Sequence, residues 1–307
     1  MSGSSSAVRP AIWMVCGAFT FALMGALTHA LGARCDWRLI ALVRALFMFV
    51  SMVLVARMVG VRLAFWTPRV LWVRSLAGSF SLVCSFYALT RLPVAEVLTL
   101  TNTYPIWIAL LSWWTLRRVP SAVELLAVAS GTVGVVLVEQ PKLGRDQLAA
   151  VVALLSSVST AVAMMGLHRL RDLDARAIVA HFAGVASVVS GAWLVVRGDL
   201  RSLAGSVAAD SPALWLLLGV GVTGTVGQLF LTKAYATGVP AEVAVLALTQ
   251  VVFAMGLDAA LWARRMPPAT LAGSVLILAP TAWITLRMSR ARAGGPGEGG
   301  GRIANGG

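Results

Sequence analysis

Ten nearly uninterrupted apolar runs constrain what this chain can fold into more than any other feature. They cover 11–31, 38–59, 70–90, 95–116, 122–138, 147–167, 177–196, 213–236, 241–263 and 269–286. An α-helix that crosses a bilayer needs about 20 mostly apolar residues. Only helices and closed barrels satisfy every backbone polar group in lipid. Barrel strands alternate apolar and polar residues over about ten positions, whereas these runs are continuously apolar, so helices remain. Only 12% of the residues are charged, and mean hydropathy is +0.85. A soluble domain carries about 25% charged residues and has no means of hiding this much apolar surface. The predicted fold class is therefore an all-α membrane protein with ten transmembrane helices. The fifth run is the shortest and starts beside Glu124.

The net charge of +13 does not indicate a nucleic-acid partner. Such a site gathers its basic residues on one face. Here Arg34, Arg62, Arg69, Arg117, Arg169, Arg197 and Arg264 fall in separate interhelical loops, where they suit lipid headgroups. Cys16, Cys35 and Cys84 form neither a CxxC pair nor an even framework, so no disulfide or metal site is expected.

The chain repeats itself. Tyr87-Ala88 is followed by Pro93 and Ala95-Glu96-Val97, and Tyr235-Ala236 by Pro240 and Ala241-Glu242-Val243. Arg117-Arg118-Val119-Pro120 returns as Arg264-Arg265-Met266-Pro267. All three matches come at nearly the same offset and in the same order. A weaker echo joins Ala22-Leu23-Met24-Gly25 to Ala163-Met164-Met165-Gly166. It places the first run inside the repeat, so that run is expected to be a retained span and not a cleaved signal. The expected organisation is a tail over 1–10, a five-helix unit over 11–140, a second over 147–288 and a disordered tail over 289–307. Five is odd, so the second unit enters the membrane from the opposite side, as in the inverted repeats of secondary transporters.

Glu96 and Glu242 fall in the first turns of the fourth and ninth helices, where a carboxylate offsets the positive end of the helix dipole. Lys and Arg are denser in the loops on the N-terminal side, around 57–69, 117–118, 169–176 and 287–302, than in those opposite. That bias predicts cytoplasmic N- and C-termini in the cell membrane.

The anchors resemble the drug/metabolite transporter superfamily, specifically its ten-helix type with two EamA domains. The resemblance runs over residues 11 to 288. It rests on Tyr87-Ala88-Leu89, Pro93, Ala95-Glu96, Tyr104-Pro105 and Gly131-Thr132-Val133-Gly134. It implies a secondary transporter, exporting a small metabolite, amino acid or drug-like solute by alternating access. This chain departs from the family's Gly-Glu-Arg in having Arg117-Arg118 and Arg264-Arg265, with Arg where Glu is usual, and Val251 where the first copy has Pro105.

In such folds the solute sits near the midplane, where helices are interrupted. The fourth run offers Thr99-Leu100-Thr101-Asn102-Thr103-Tyr104-Pro105-Ile106-Trp107. Pro105 has no N–H, so the Thr101 carbonyl loses its helical partner. Thr103 and Trp107 are matched by Thr249 and Phe253 in the second copy. The expected solute-binding residues are Asn102, Thr103, Tyr104, Trp107, Gln228, Thr249, Gln250 and Phe253. Arg44, Arg74 and Lys233 lie near the ends of their runs and are expected to snorkel to the interface. Tyr87 and Tyr235 are expected to be interfacial anchors. Asp258 is the one acid well inside a run. Gly219, Gly221, Gly224 and Gly227 suit close helix packing.

Other functions find less support. His29, His168 and His181 have no HExxH spacing and there is no GxSxG, so no enzyme, catalytic residue or cofactor is expected. A channel or accessory membrane subunit is the alternative, but no ring of charges or filter is visible. No ATP-binding GxxxxGK[ST] occurs. The expected partners are a small-molecule solute and the lipid bilayer. The sequence fixes no oligomeric state.

Overall fold

A computed structural model of the chain describes residues 9–31, 34–89, 91–92, 94–117, 119–141, 146–197, 211–263 and 266–293. The expectations for Pro93, Arg118, Arg264, Arg265 and the tails over 1–8 and 294–307 lie outside these residues. The described residues form helices and no strands. In chain order they are α1 (Arg9–Leu31), α2 (Trp37–Met58), α3 (Arg69–Leu89), α4 (Val94–Thr101), α5 (Tyr104–Leu116), α6 (Ala122–Glu139), α7 (Gln147–Arg169), α8 (Ala175–Arg197), α9 (Ser211–Thr237), α10 (Pro240–Ala247), α11 (Thr249–Trp262) and α12 (Pro268–Ala293).

Among the described residues eight segments are long and apolar enough to cross a membrane, α10 and α11 counting together as one. The two expected spans missing from that set are instructive. α3 has 21 residues but carries Arg74, Ser75, Ser79, Ser81 and Ser85. The fourth span is split into α4 and α5, each too short by itself.

Both broken spans change at a threonine. After α4 the Thr103 N–H reaches only the Leu100 carbonyl, at 3.3 Å, and Ile106 N–H bonds the Thr103 carbonyl at 3.0 Å. These three-residue bonds tighten the chain into a turn. Pro105 then opens α5, where a missing N–H costs nothing. The ninth span, expected to be continuous, breaks at Leu248 without any proline. Leu248 N–H bonds the Val245 carbonyl at 3.1 Å, and Val251 N–H the Leu248 carbonyl at 3.0 Å. The hydroxyls of Thr103 and Thr249 take the carbonyls of Leu100 and Leu246 at 2.6 and 2.7 Å. The same side-chain back-bond therefore marks both breaks, and the proline reinforces just one of them.

The ends of these spans also match. Arg117 closes α5 and Ala263 closes α11, both at φ 50° in the left-handed region. That conformation costs a residue with a Cβ about 1 kcal/mol. Ala263 is exposed, so its methyl has little packing to lose. Ala263→Gly is expected to stabilise the protein by about 0.5–1 kcal/mol, read as a higher melting temperature in detergent. A lower melting temperature would contradict the assigned backbone conformation. The short α6 is well founded despite its length. Ser121 Oγ accepts from Glu124 N–H at 3.2 Å, and Glu124 Oε2 accepts from Ser121 N–H at 2.9 Å.

The helices pair across the two halves of the chain. The main partners are α1 with α9, α3 with α7, α2 with α8 and α6 with α12. Secondary contacts join α3 to α8, α9 to α2, α1 to α11 and α5 to α7. Exchanging the first five spans for the second five maps this set of pairings onto itself. The closest approach is between α6 and α12. A Cβ on Gly134 would stand 2.7 Å from the Gly273 carbonyl oxygen, and one on Gly273 would stand 2.6 Å from that of Gly134. Small residues permit such contact in a bilayer, where helix association rests on packing.

Candidate functional site

A cavity of about 270 Å³ opens between α2, α3, α7, α8 and α9. Its wall includes Arg44 from α2; Arg74, Gly78, Ser81 and Ser85 from α3; Thr160 and Met164 from α7; Phe182 from α8; and Gln228 from α9. At about 30 Å³ per water, it has room for a metabolite-sized solute.

The two arginines overturn the expectation that they snorkel. Arg74 is only 1% exposed. Depth along a helix places a residue near the interface, but helix rotation decides whether it faces lipid or protein. α3 turns Arg74 toward α7 and α8. Its guanidinium carbon lies 4.0 Å from the centre of the Phe182 ring, a cation–π contact. Its Nε and Nη1 find no hydrogen-bond acceptor. Glycines make room for both side chains. A Cβ on Gly78 would meet Phe182 at 2.9 Å and Arg74 Nη1 at 3.1 Å, one on Gly166 would meet Arg74 Cβ at 3.0 Å, and one on Gly224 would meet Arg44 Nε at 3.1 Å. Lys233 fits its expected place better, with Nζ 5.6 Å from the Trp13 ring near the end of α9.

Hydroxyl groups join α3 to α7. Ser81 Oγ lies 2.6 Å from Thr160 Oγ1 and 2.9 Å from Ser156 Oγ, and Ser85 Oγ lies 2.7 Å from Ser156 Oγ. Ser156 donates to the Ser81 carbonyl at 2.9 Å. Beneath Arg74, buried His181 joins α8 to α3 and to the loop before it. Its Nε2 lies 3.1 Å from the Phe65 carbonyl, which can only accept, so Nε2 carries the proton. Ser75 Oγ lies 2.8 Å from Nδ1.

Of the residues expected to bind solute, Gln228 is the one in this cavity wall. It is 4% exposed, and its Nε2 has no hydrogen-bond partner. Thr232 and Tyr235 follow at the next turns of α9, both fully buried, with unpartnered hydroxyls. Residues 228, 232 and 235 share one helix face. A stripe of buried polar groups therefore runs from the cavity along α9 to Tyr104, whose hydroxyl faces that of Tyr235. Tyr104 opens α5 directly after the break. Trp107 lies one turn on, with Nε1 buried and unpartnered. Trp107 and Tyr104 pack on the same core cluster as Tyr235, Leu231, Met164 and Phe253.

The other expected residues divide. Thr103 shares its hydroxyl between the Leu100 carbonyl and Ser157 Oγ, 3.0 Å away on α7. Thr249 is 2% exposed, and its hydroxyl is held by the Leu246 carbonyl of α10. Asn102 donates Nδ2–H to the Leu98 carbonyl at 2.8 Å. Gln250 is exposed. Phe253 meets Phe19 edge to face with ring centres 5.5 Å apart. Tyr235, expected to be an interfacial anchor, is instead sealed in the core because α9 runs between α1, α2 and α7. Its mate Tyr87 stays half-buried, with Arg91 5.3 Å over its ring. Asp258 is half-buried on α11. Among the described residues no cluster of His, Cys, Asp or Glu could hold a metal ion.

Sequence reasoning missed Arg44, Arg74 and the buried serines of α3. The available signal was that α3 is the least apolar of the long helices in the first half of the chain, since a polar helix in a bilayer must face protein or water.

The model of the EamA-like transporter family matches residues 8–139 and again 147–286. A pseudopaline exporter of Pseudomonas aeruginosa is 31% identical over 274 residues, covering 86% of this chain and 91% of that protein. An uncharacterized transporter of Helicobacter pylori is 27% identical over 184 residues, covering 59% of this chain and 61% of its own. A crystal structure of an 18% identical protein superposes with a TM-score of 0.76 over 94% of this chain and all of that one, which establishes a shared fold.

Proposed function

Because the chain belongs to the EamA-like transporter family, we propose that it is a ten-span secondary transporter that exports a small solute by alternating access. The observation that carries this reading is the central cavity, continued along α9 by buried polar groups without partners. In a purely structural bundle such groups would be paired, since each unsatisfied one costs about 1–3 kcal/mol. On a solute path they are wetted or bound during part of the cycle. Gln228, Tyr104 and Trp107 line that path in this reading. Thr103 and Thr249, with Asn102 and Gln250 beside them, form two hinges. Phe253 supports the second hinge from α11.

The exchange symmetry of the helix pairings supports an inverted repeat over 11–140 and 147–288. Two similar half-bundles of opposite orientation can swap packings, so that the cavity opens to one side and then to the other. The export direction follows the similarity to the Pseudomonas aeruginosa exporter. Purified protein in liposomes is expected to show saturable uptake for some members of a panel of metabolites, amino acids and drugs, altered by an imposed proton gradient. Linear, unsaturable flux would replace the transporter with a channel. The basic loops favour cytoplasmic N- and C-termini. Reporters fused within 60–68 should read inside, and those within 198–210 outside. The opposite pattern would invert the topology.

A further inference from the structure

We propose that the transported solute is an anion whose carboxylate or phosphate oxygens bind between Arg44 and Arg74. This rests on the transporter reading and adds the substrate's charge. The unpartnered polar atoms of the cavity wall are Arg74 Nε, Arg74 Nη1 and Gln228 Nε2, and all three carry N–H donors. Unpartnered donors suit a ligand rich in acceptor oxygens. The Phe182 ring covers one face of the Arg74 guanidinium, so a ligand oxygen would meet its donors in the plane of the group. That fork matches a carboxylate or phosphate edge-on.

Charge points the same way. Among the described residues neither Arg44 nor Arg74 forms an ion pair, whereas Arg38–Asp36, Arg91–Asp146 and Arg176–Asp174 pair at helix ends. The cavity wall contains no acid. Two guanidiniums without counter-charge inside a membrane protein are strongly unfavourable. A protein that merely needed to fill this space would do better with apolar side chains. Three glycines are instead kept where any Cβ would crowd these arginines. The hydroxyls of Ser81, Ser85 and Thr160 bond to one another and to Ser156, which holds that wall of the cavity in place.

The test uses the full chain in detergent with three probes: succinate, glycerol 3-phosphate and succinamide, the uncharged analogue of succinate. Succinate, glycerol 3-phosphate or both should raise the melting temperature saturably, and the comparison identifies the preferred oxyanion. Succinamide should leave it unchanged. Arg74→Met and Arg44→Met should weaken anion binding at least tenfold while melting, without ligand, at or above the wild-type temperature. If either variant fails to fold, Arg74→Gln and Arg44→Gln replace them with the same expectation. Anion shifts that persist in both variants, or no shift with either anion in the wild type, would overturn the proposal. Flux in liposomes separates this from the transporter reading. Saturable transport of uncharged solutes without any anion shift removes the anion site and keeps the transporter. Anion shifts with no saturable flux of any solute, charged or neutral, keep the site and remove the transporter.

Discussion

Gly273→Ala is expected to lower the melting temperature in detergent by roughly 5 °C, reflecting a loss of about 2–3 kcal/mol. The cause is a clash with backbone, which cannot rotate away. The new Cβ would stand 2.6 Å from the Gly134 carbonyl oxygen, 2.9 Å from Leu137 Cβ and 3.0 Å from Val138 Cγ2. Relief requires α6 and α12 to separate along their whole contact, and those two helices have few other neighbours. Gly134→Ala should act alike, because its Cβ would meet the Gly273 oxygen and Ile277 Cγ1, each at 2.7 Å. Gly256→Ala is the control. Nothing lies within 4 Å of its added Cβ, and alanine is a better helix former by about 0.5–1 kcal/mol. That variant should melt at or above the wild-type temperature. If Gly273→Ala proves as stable as Gly256→Ala, α6 and α12 do not approach as closely as described.

Tyr235→Phe should separate stability from activity. Its hydroxyl is fully buried and has only the Tyr104 hydroxyl recorded beside it, so removing it costs little stability. The variant is expected to melt close to the wild-type temperature and to transport about tenfold more slowly, because the polar stripe leading from Gln228 is cut. Trp107→Ala should differ from it. Trp107 is half-buried against the central cluster, so its loss leaves a cavity and costs about 3 kcal/mol as well as transport. The measurement is initial transport rate for several solutes beside melting temperature for each variant. Full transport by Tyr235→Phe would return the stripe to ordinary core packing. A loss by Trp107→Ala that is equal for all solutes and follows its lost stability would do the same for that residue.

The class of this protein was legible from its sequence because bilayer thickness dictates the length of an apolar run. The internal match was legible because turn chemistry, Tyr-Ala then Pro then Ala-Glu-Val, must recur wherever the same connection is built twice. Pro105 announced the break in the fourth span, since a missing N–H can be read directly. The break at Leu248 could not be read, because it depends on the Thr249 hydroxyl choosing the Leu246 carbonyl one turn back. The rotation of each helix was hidden as well. In water the polar face of a helix marks its outer side. In a bilayer the lipid-facing and protein-facing sides are both apolar, so the pattern around the helix carries little direction. Only the tertiary structure decided that Arg74 turns away from the headgroups into the bundle and that Tyr235 is sealed in the core. Only it placed Gln228 in one cavity wall with Arg44, whose helix pairs with α8 and α9 from the other half of the chain.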